Sequence, residues 1–307
     1  MNLRAAVRVA SLSCLLAMAA GPLRAGQPDN RLKSAGETIV SASEYPWSAV
    51  GKLNNGVSGS CSAVLISQDY ALTAAHCLFF RNTGRFLPPE SLHLLLGYEN
   101  QTYAQHLRIR AYFIPPSYDP LKPFESIAND WALLQVSGES RGRARPVRVA
   151  QQTQPSETRV MTAGYSGRTP FKMTADTGCS LIGRSSDRAL LFDSCAAPHG
   201  FSGGPVLVKA ADQRSVSVLG IHVGNQAWET RPFAIAVSAE KIWPEIRACL
   251  EQHRCRFQHI AGRRDPSAAE ILARPSAGSA NAVADSTDPA CGDIESLLCG
   301  VPFAERN

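Results

Sequence analysis

Short apolar runs separated by turn-forming residues dominate the chain from Ile39 to about Val237. The clearest runs cover residues 62–66, 92–96, 131–136, 159–163 and 217–223, and the segments between them are rich in Gly, Pro, Asn and Ser. Runs of this length with many β-branched residues are typical of strands, and no long helical period interrupts them. The pattern therefore predicts an all-β domain.

A helix is predicted only where this domain ends, over residues 238–252. Apolar residues recur there at near-helical spacing, and Ser238 can cap the first turn. Pro244 predicts either a kink or a later start of the helix, because proline has no backbone N–H to donate. The apolar positions are Ile242, Ile246, Cys249 and Leu250.

The N-terminus carries a different apolar run, residues 9–20, which follows Arg4 and Arg8 and precedes small residues. This run is too short to cross a bilayer, and the arrangement is typical of a secretory signal peptide. We expect cleavage after Ala25, with a site nearer Ala20 as the alternative. The mature protein is then secreted or periplasmic and has no membrane span.

The composition is that of a globular protein, with 44% hydrophobic and 19% charged residues among 307, which excludes a disordered or collagen-like chain. Removal of the signal peptide takes away three arginines and no acid, so the net charge falls from +5 to +2. A charge so near zero argues against a nucleic-acid or anionic-membrane partner. The oligomeric state is left open.

Cysteine usage agrees with export. Cys14 leaves with the signal peptide, and the remaining even number allows up to four disulfides in an oxidising compartment. Cys-x-x-Cys pairs are absent from the sequence, so a structural zinc site is not expected. The last four cysteines allow three connectivities, of which we favour the local pairs Cys249–Cys255 and Cys291–Cys299.

Three motifs carry candidate chemistry. His76 follows an apolar run and precedes Cys77, Asp130 stands at the start of a strongly apolar run, and Ser202 lies in the glycine-rich turn 200–205. Each motif alone is ordinary: a core histidine, a strand-end acid and a tight turn. The three together, in this order, favour a catalytic interpretation.

Nucleophilic catalysis by a serine explains why these residue types are needed. The hydroxyl of Ser202 is a weak nucleophile, and His76 can take its proton near neutral pH. Asp130 can hold the imidazole in the required tautomer. The amides of Gly200 and Ser202 can point at one spot and form an oxyanion hole, because the glycines let the backbone turn.

Taken together, these motifs resemble those of the trypsin-like (chymotrypsin-fold) serine peptidases, over roughly residues 39–249. The short stretch before the serine and the sequence Gly220-Ile221-His222 look most like the bacterial V8-type glutamyl endopeptidases. The resemblance implies two six-stranded antiparallel β-barrels, at residues 39–149 and 150–237, with a C-terminal helix. The active site would lie between the barrels and needs neither a metal nor an organic cofactor.

The resemblance also implies a substrate-binding set. Ala196 stands where trypsin carries the acid that receives Arg or Lys, so a basic preference is not expected. His222 matches a histidine that receives acidic side chains in the glutamyl endopeptidases, but Ala197 replaces their assisting threonine, which leaves an acidic or a small preference open. The strand that would pair with the substrate backbone is Val223, Gly224 and Asn225.

Two further features follow from the resemblance. The implied disulfides are Cys61–Cys77 and Cys179–Cys195. Activated trypsins carry an aspartate before the serine that pairs with a new Ile-Val amino terminus, whereas this chain has Phe201 there, although Ile39-Val40 resembles such a start. We therefore expect activity that does not depend on cleavage after Thr38.

The predicted organisation has four parts: a signal peptide at 1–25, an N-terminal segment at 26–38, the peptidase domain at 39–255, and a linker with a small cysteine-containing tail at 256–307. The predicted function is that of an exported serine endopeptidase acting on proteins or peptides. Two alternatives are a binding protein with this fold and no turnover, and a carrier for a binding tail.

Overall fold

The structure is a computed structural model that describes residues 36–56, 60–138, 144–151, 153–210, 215–228 and 231–252. The predicted signal peptide and C-terminal tail lie outside these residues. The same holds for Cys255, Cys291 and Cys299, so the favoured pairing of the last four cysteines stays a prediction.

Strands dominate the described residues, as predicted. The first half contains β1 Thr38–Ile39, β2 Val50–Asn54, β3 Ser60–Leu65, β4 Tyr70–Thr73, β5 Phe79–Phe80, β6 Arg85–Phe86, β7 His93–Leu96, β8 Gln105–Phe113 and β9 Ala132–Ser137. The second half contains β10 Arg148–Val149, β11 Arg159–Gly164, β12 Thr174–Arg184, β13 Leu190–Asp193, β14 Pro205–Lys209, β15 Val216–Trp228, β16 Arg231–Ser238 and the helix α1 Ala239–Gln252.

The first barrel is closed and antiparallel, with strand order β2-β3-β4-β9-β8-β7. Its interior is filled by leucines from facing strands, such as Leu53, Leu72, Leu94 and Leu133, which are at most 1% exposed. Closure of the sheet buries these apolar side chains away from water. It also leaves no edge strand with unpaired backbone groups.

The second barrel runs β12-β11-β14-β15-β16-β13 and closes through the pairing of β13 with β12. The predicted fold, two six-stranded antiparallel barrels, is therefore confirmed. The expected division at residue 149 is wrong in detail, because Ile39 in β1 pairs with Thr174 of β12 and Val149 in β10 pairs with Val218 of β15. Such two-residue strands bury little, so their apolar pattern does not say which sheet they join.

The helix α1 begins directly after Ser238, whose Oγ accepts hydrogen bonds from the N–H groups of Glu240 and Lys241 at 3.1 and 3.4 Å. The predicted cap is therefore confirmed, whereas a later start at Pro244 is wrong, since this proline lies inside the helix. Tertiary packing outweighs the lost hydrogen bond, because Ile242, Ile246 and Cys249 are fully buried. Among the described helices, none is long and apolar enough to cross a membrane.

Candidate active site

Strand pairing in the first barrel brings His76 and Asp130 together. His76 lies in a short 3₁₀ helix just after β4, and Asp130 lies just before β9. The two strands are neighbours, with Thr73 opposite Ala132. His76 Nδ1 lies 2.7 Å from Asp130 Oδ2, and the His76 backbone N–H donates to Asp130 Oδ1 at 2.8 Å. One carboxylate thus holds both the ring and the main chain of the histidine.

Burial and the contact with Asp130 act in opposite directions on the pKa of His76. Burial alone would lower the pKa of His76, but the charge of Asp130 and its hydrogen bond together raise the pKa above the ordinary 6.5. Asp130 is 3% exposed, and both of its carboxylate oxygens contact His76. Because Nδ1 is engaged by Asp130, Nε2 is the nitrogen available to another group.

Ser202 comes from the second barrel, in the loop that leads into β14. Its carbonyl accepts a hydrogen bond from the Ser62 N–H at 2.8 Å and lies 3.7 Å from Cys77 Sγ. The serine therefore rests against the segment that carries His76. The described residues show no hydrogen bond between the Ser202 hydroxyl and His76, and in unliganded enzymes this bond is often loose until substrate binds.

The loop around Ser202 depends on two glycines with positive φ. Gly200 has φ +103° and Gly203 has φ +80°, and a Cβ on either would lie 2.1 to 2.2 Å from a neighbouring oxygen. This conformation leaves the N–H groups of Gly200 and Ser202 without an acceptor among the described residues. Two such N–H groups beside a candidate nucleophile can stabilise an oxyanion.

Ser62 on β3 is a site residue that the sequence analysis missed. It is fully buried, and its Oγ donates to the Gly200 carbonyl at 2.8 Å and accepts from the Tyr165 N–H at 3.0 Å. Its N–H also donates to the Ser202 carbonyl, so Ser62 ties the first barrel to the turn at both Gly200 and Ser202. The available signal was a serine next to Cys61 in an otherwise apolar run, which is too common to interpret alone.

Phe201 is fully buried and packs with Ala197 and Ala234. Ile39 is 60% exposed and sits in a strand that continues from Thr38. Glu37, just upstream, accepts a hydrogen bond from Thr174 Oγ1 at 2.8 Å. The segment before Ile39 is therefore tied to the second barrel in the uncut chain.

The residues assigned to substrate binding divide into accessible and sealed groups. Gly224 and Asn225 reach solvent, whereas His222 is 1% exposed and neither ring nitrogen makes a hydrogen bond of normal geometry. Burial lowers the pKa of His222 to about 4, partly offset by the nearby Ile235 carbonyl. A histidine that is neutral and enclosed does not present a positive charge to a substrate.

Asp193 is a buried neighbour of His222 that the sequence analysis also missed. Burial and, to a smaller extent, the charge of Asp176 raise its pKa to about 8, although its Oδ1 accepts the Cys195 N–H at 3.0 Å. Asp193 Oδ2 has no partner among the described residues. Nothing in the sequence separated this acid from an ordinary strand-end aspartate.

Both implied disulfides are present, Cys61–Cys77 and Cys179–Cys195. Two groups of potential metal ligands come within 4.8 Å of each other: Cys61, His76 and Cys77, and Asp193, Cys195 and His222. Every sulfur in these groups is bonded in a disulfide and is not the thiolate that metals bind. Neither group therefore offers three ligands.

The chain is similar in sequence to several known proteins. A model of the family described as Trypsin matches residues 35–243. Granzyme M of Homo sapiens is 31% identical over 157 residues, which are 50% of this chain and 54% of granzyme M. Tissue-type plasminogen activator of Rattus norvegicus is 31% identical over 125 residues, 37% of this chain and 20% of that protein. The chain thus matches about half or less of the length of these relatives.

Among solved structures, a Glu endopeptidase in complex with MPD is similar with a TM-score of 0.56 and 17% sequence identity. The match covers 72% of this chain and 99% of that chain. At this identity the likeness shows a shared fold.

Proposed function

Because the chain belongs to the trypsin family, we propose that it is an exported serine endopeptidase that cleaves proteins or peptides through an acyl-enzyme. The observation that carries this proposal is the 2.7 Å contact of His76 Nδ1 with Asp130 Oδ2 beside the loop that carries Ser202. The two disulfides support an oxidising destination, in line with the predicted signal peptide. Secretion and a periplasmic location are both compatible with that destination.

The first half-reaction transfers the acyl group. The Ser202 hydroxyl attacks the peptide carbonyl while His76 Nε2 takes its proton, and Asp130 stabilises the imidazolium that forms. The N–H groups of Gly200 and Ser202 bind the oxyanion. When the C–N bond breaks, His76 returns the proton to the leaving amine, and the acyl group stays on Ser202 as an ester.

Hydrolysis reverses the same proton transfers. Water gives a proton to His76 and adds to the ester carbonyl, and the proton then returns to Ser202 Oγ as the C–O bond breaks. The products are a carboxylic acid and the free enzyme. All proton transfers use groups of this chain, with water as co-substrate.

For specificity, we propose a preference that is not for Arg or Lys, since Ala196 supplies no charge to receive them. Of the acidic and small preferences left open, the enclosure of His222 at 1% exposure supports the small one. A carboxylate brought beside a neutral, sealed histidine would be an unpaired buried charge, which is costly.

The test is mass-spectrometric mapping of the bonds cut in a denatured proteome by the mature protein and by Ser202→Ala. We expect cleavage by the natural chain, with small residues enriched before the cut, and none by the alanine variant. Reaction of the serine with a fluorophosphonate probe checks the nucleophile independently. A folded, disulfide-bonded protein that neither cuts nor reacts would contradict the proposal and favour a binding function.

We also propose that activity does not require cleavage after Thr38. The burial of Phe201 and the pairing of residues 38–39 in the uncut chain support this. Mass spectrometry first verifies that the N-terminal segment is intact. This uncut chain should then react with the fluorophosphonate probe as fast as a chain cleaved after Thr38. Reaction only after cleavage at Thr38, or its loss in a folded Ile39→Gly variant, would contradict this part of the proposal.

A further inference from the structure

Two histidines on the outer surface of the first barrel lie in direct contact. His93 on β7 and His106 on β8 are diagonal neighbours, because Leu95, two residues after His93, pairs with His106. Their side chains point away from the barrel interior, where Leu94 and Leu107 are buried. His93 Nδ1 lies 2.9 Å from His106 Nε2, and the ring centroids are 4.9 Å apart. Both histidines are partly exposed, so a solute can reach them.

The position of this pair is fixed by the two strands and by an aromatic neighbour. Strands β7 and β8 pair in regular antiparallel register, from His93 opposite Arg108 to Leu96 opposite Gln105. The ring of Tyr103 packs edge-on against the ring of His106, with centroids 5.7 Å apart. Two donor atoms that are already held close together bind a metal with less loss of conformational freedom.

The separation of the two nitrogens decides which metals fit. Metal–imidazole bonds are about 2.0 Å long, so two nitrogens 2.9 Å apart would subtend an angle of about 90° at one metal ion. A tetrahedral ion such as Zn²⁺ would need nitrogens roughly 3.3 Å apart. Right angles between ligands are typical of the tetragonal geometry of Cu²⁺ and Ni²⁺, both of which bind imidazole well.

The residues that flank the pair differ in charge. Asn54 on β2, opposite His93, carries no charge. Arg108, opposite His93 on the other side, lies on the same outer face as the two histidines and is exposed. Its positive charge repels a cation, so Arg108 weakens the binding of a metal at this place.

We propose that His93 and His106 bind a divalent transition metal of tetragonal preference, Cu²⁺ most tightly and then Ni²⁺, with water in the remaining positions. The metal replaces the proton between the two nitrogens, and that proton moves through solvent to the other nitrogen of its ring. Because the ligands belong to neighbouring strands, the metal links β7 to β8 and stabilises the folded barrel. The site is separate from His76, Asp130 and Ser202, so it does not depend on the proposed peptidase function.

The first test titrates the mature, disulfide-bonded protein with CuCl₂ at pH 7.5 in a non-chelating buffer, followed by calorimetry and electron paramagnetic resonance. We expect a tetragonal Cu²⁺ spectrum with two nitrogen ligands. His93→Gln and His106→Gln should each weaken this binding about tenfold or more, because each removes one ligand. Both variants should keep the natural unfolding midpoint without metal. His199→Gln removes an exposed histidine elsewhere and should leave the binding unchanged.

A second pair of variants should strengthen binding rather than weaken it. Arg108→Ser removes the positive charge opposite His93 and should lower the Kd for Cu²⁺ about threefold or more at low salt. Arg110→Ser makes the same change in net charge two residues further along β8, so it is the matched control and should lower the Kd less. Equal effects of the two variants, or no effect of Arg108→Ser, would contradict binding at the histidine pair.

A third measurement tests the link between the strands. A hundredfold excess of Cu²⁺ over its Kd should lower the ratio of unfolded to folded natural chain about 100-fold, and it should not do so in His93→Gln. Three results would overturn the site. They are Cu²⁺ binding that is equally tight in either glutamine variant, Zn²⁺ binding tighter than Ni²⁺ binding, and an unfolding midpoint of the natural chain that Cu²⁺ does not raise.

Discussion

His76 shows how one buried neighbour tunes a single residue. The charge and hydrogen bond of Asp130 outweigh burial and raise the histidine pKa above 6.5. The imidazole must be neutral to accept the serine proton, so a raised pKa moves the working range to higher pH.

We expect kcat/KM to fall about tenfold per pH unit on the acid side, with a midpoint above pH 6.5. Asp130→Asn removes both effects that raise the pKa, so the midpoint should move to lower pH. The rate should also drop by about 10⁴, as for this change in other serine peptidase triads. Initial rates from pH 5 to 9 check this. A midpoint below 6.5 in the natural chain, or one that stays in place in Asp130→Asn, would contradict the role given to Asp130.

Ser62 acts at the same scale through three hydrogen bonds. Ser62→Ala leaves the Tyr165 N–H and the Gly200 carbonyl unpaired in a buried place, which should cost about 1 to 3 kcal/mol of the free energy of unfolding. Displacement of the oxyanion donors should lower kcat roughly 10- to 100-fold. Denaturant titration and steady-state rates measure the two effects.

Thr162→Val is the matched control for this prediction. The Thr162 hydroxyl is as buried as that of Ser62, but it has no hydrogen-bond partner among the described residues. Its removal should leave stability and kcat unchanged or slightly improved. Equal losses in the two variants would mean that Ser62 has no special role.

At the scale of elements, the nucleophile loop is held by its close approach to the first barrel. A Cβ on Gly203 would lie 2.2 Å from Thr73 Oγ1 and 2.3 Å from the Ser62 carbonyl. Only glycine permits both this approach and a φ of +80°.

Gly203→Ala should therefore cost about 2 to 5 kcal/mol of the free energy of unfolding and abolish cleavage, because strain and overlap add. Gly84→Ala is the control, since Gly84 also has a positive φ, +66°, but nothing within 4 Å of a built Cβ. It should lose only about 1 kcal/mol. Thermal unfolding of both variants checks the difference, and similar losses would show that steric overlap is unimportant.

At the scale of the whole molecule, Asp193 and His222 couple stability to pH. Folding raises the pKa of Asp193 from 3.8 to about 8 and lowers that of His222 from 6.5 to about 4. Together they hold one proton in the folded chain between these limits. The unfolded pair holds none above 6.5, so folding takes up a proton from about pH 6.5 to 8 and stability falls as pH rises there.

The expected loss is about 2 kcal/mol across this window, at 1.36 kcal/mol per pKa unit. Asp193→Asn should abolish this part of the decline, because the group can no longer release a proton. Asp187→Asn is the control, since hydrogen bonds from Ser185 and Ala189 lower the pKa of Asp187 and keep its titration far from this range. Urea unfolding at pH 6.5 and 8 gives the slopes. An unchanged slope in Asp193→Asn would contradict the assignment.

The fold class, the strands, the cap at Ser238 and the candidate triad followed from local patterns and motif order. Alternation with period 2 reports which strands are half-buried, and the chemistry of serine, histidine and aspartate limits what their combination can do. Each strand, cap or motif is read from a few neighbouring residues, and the order of the motifs is read along the chain, so these signals can be recognised from the sequence alone.

Contacts between residues that are far apart in the sequence could be identified only from the tertiary structure. Barrel closure and the meeting of the two barrels decide four features. They are the pairing of β1 with the second barrel, the three hydrogen bonds of Ser62, the burial of Asp193 with His222, and the hydrogen bond from Asn225 to Ala197. Burial and hydrogen-bond partners are properties of the packed chain. The same serine or asparagine in another environment would not make these hydrogen bonds.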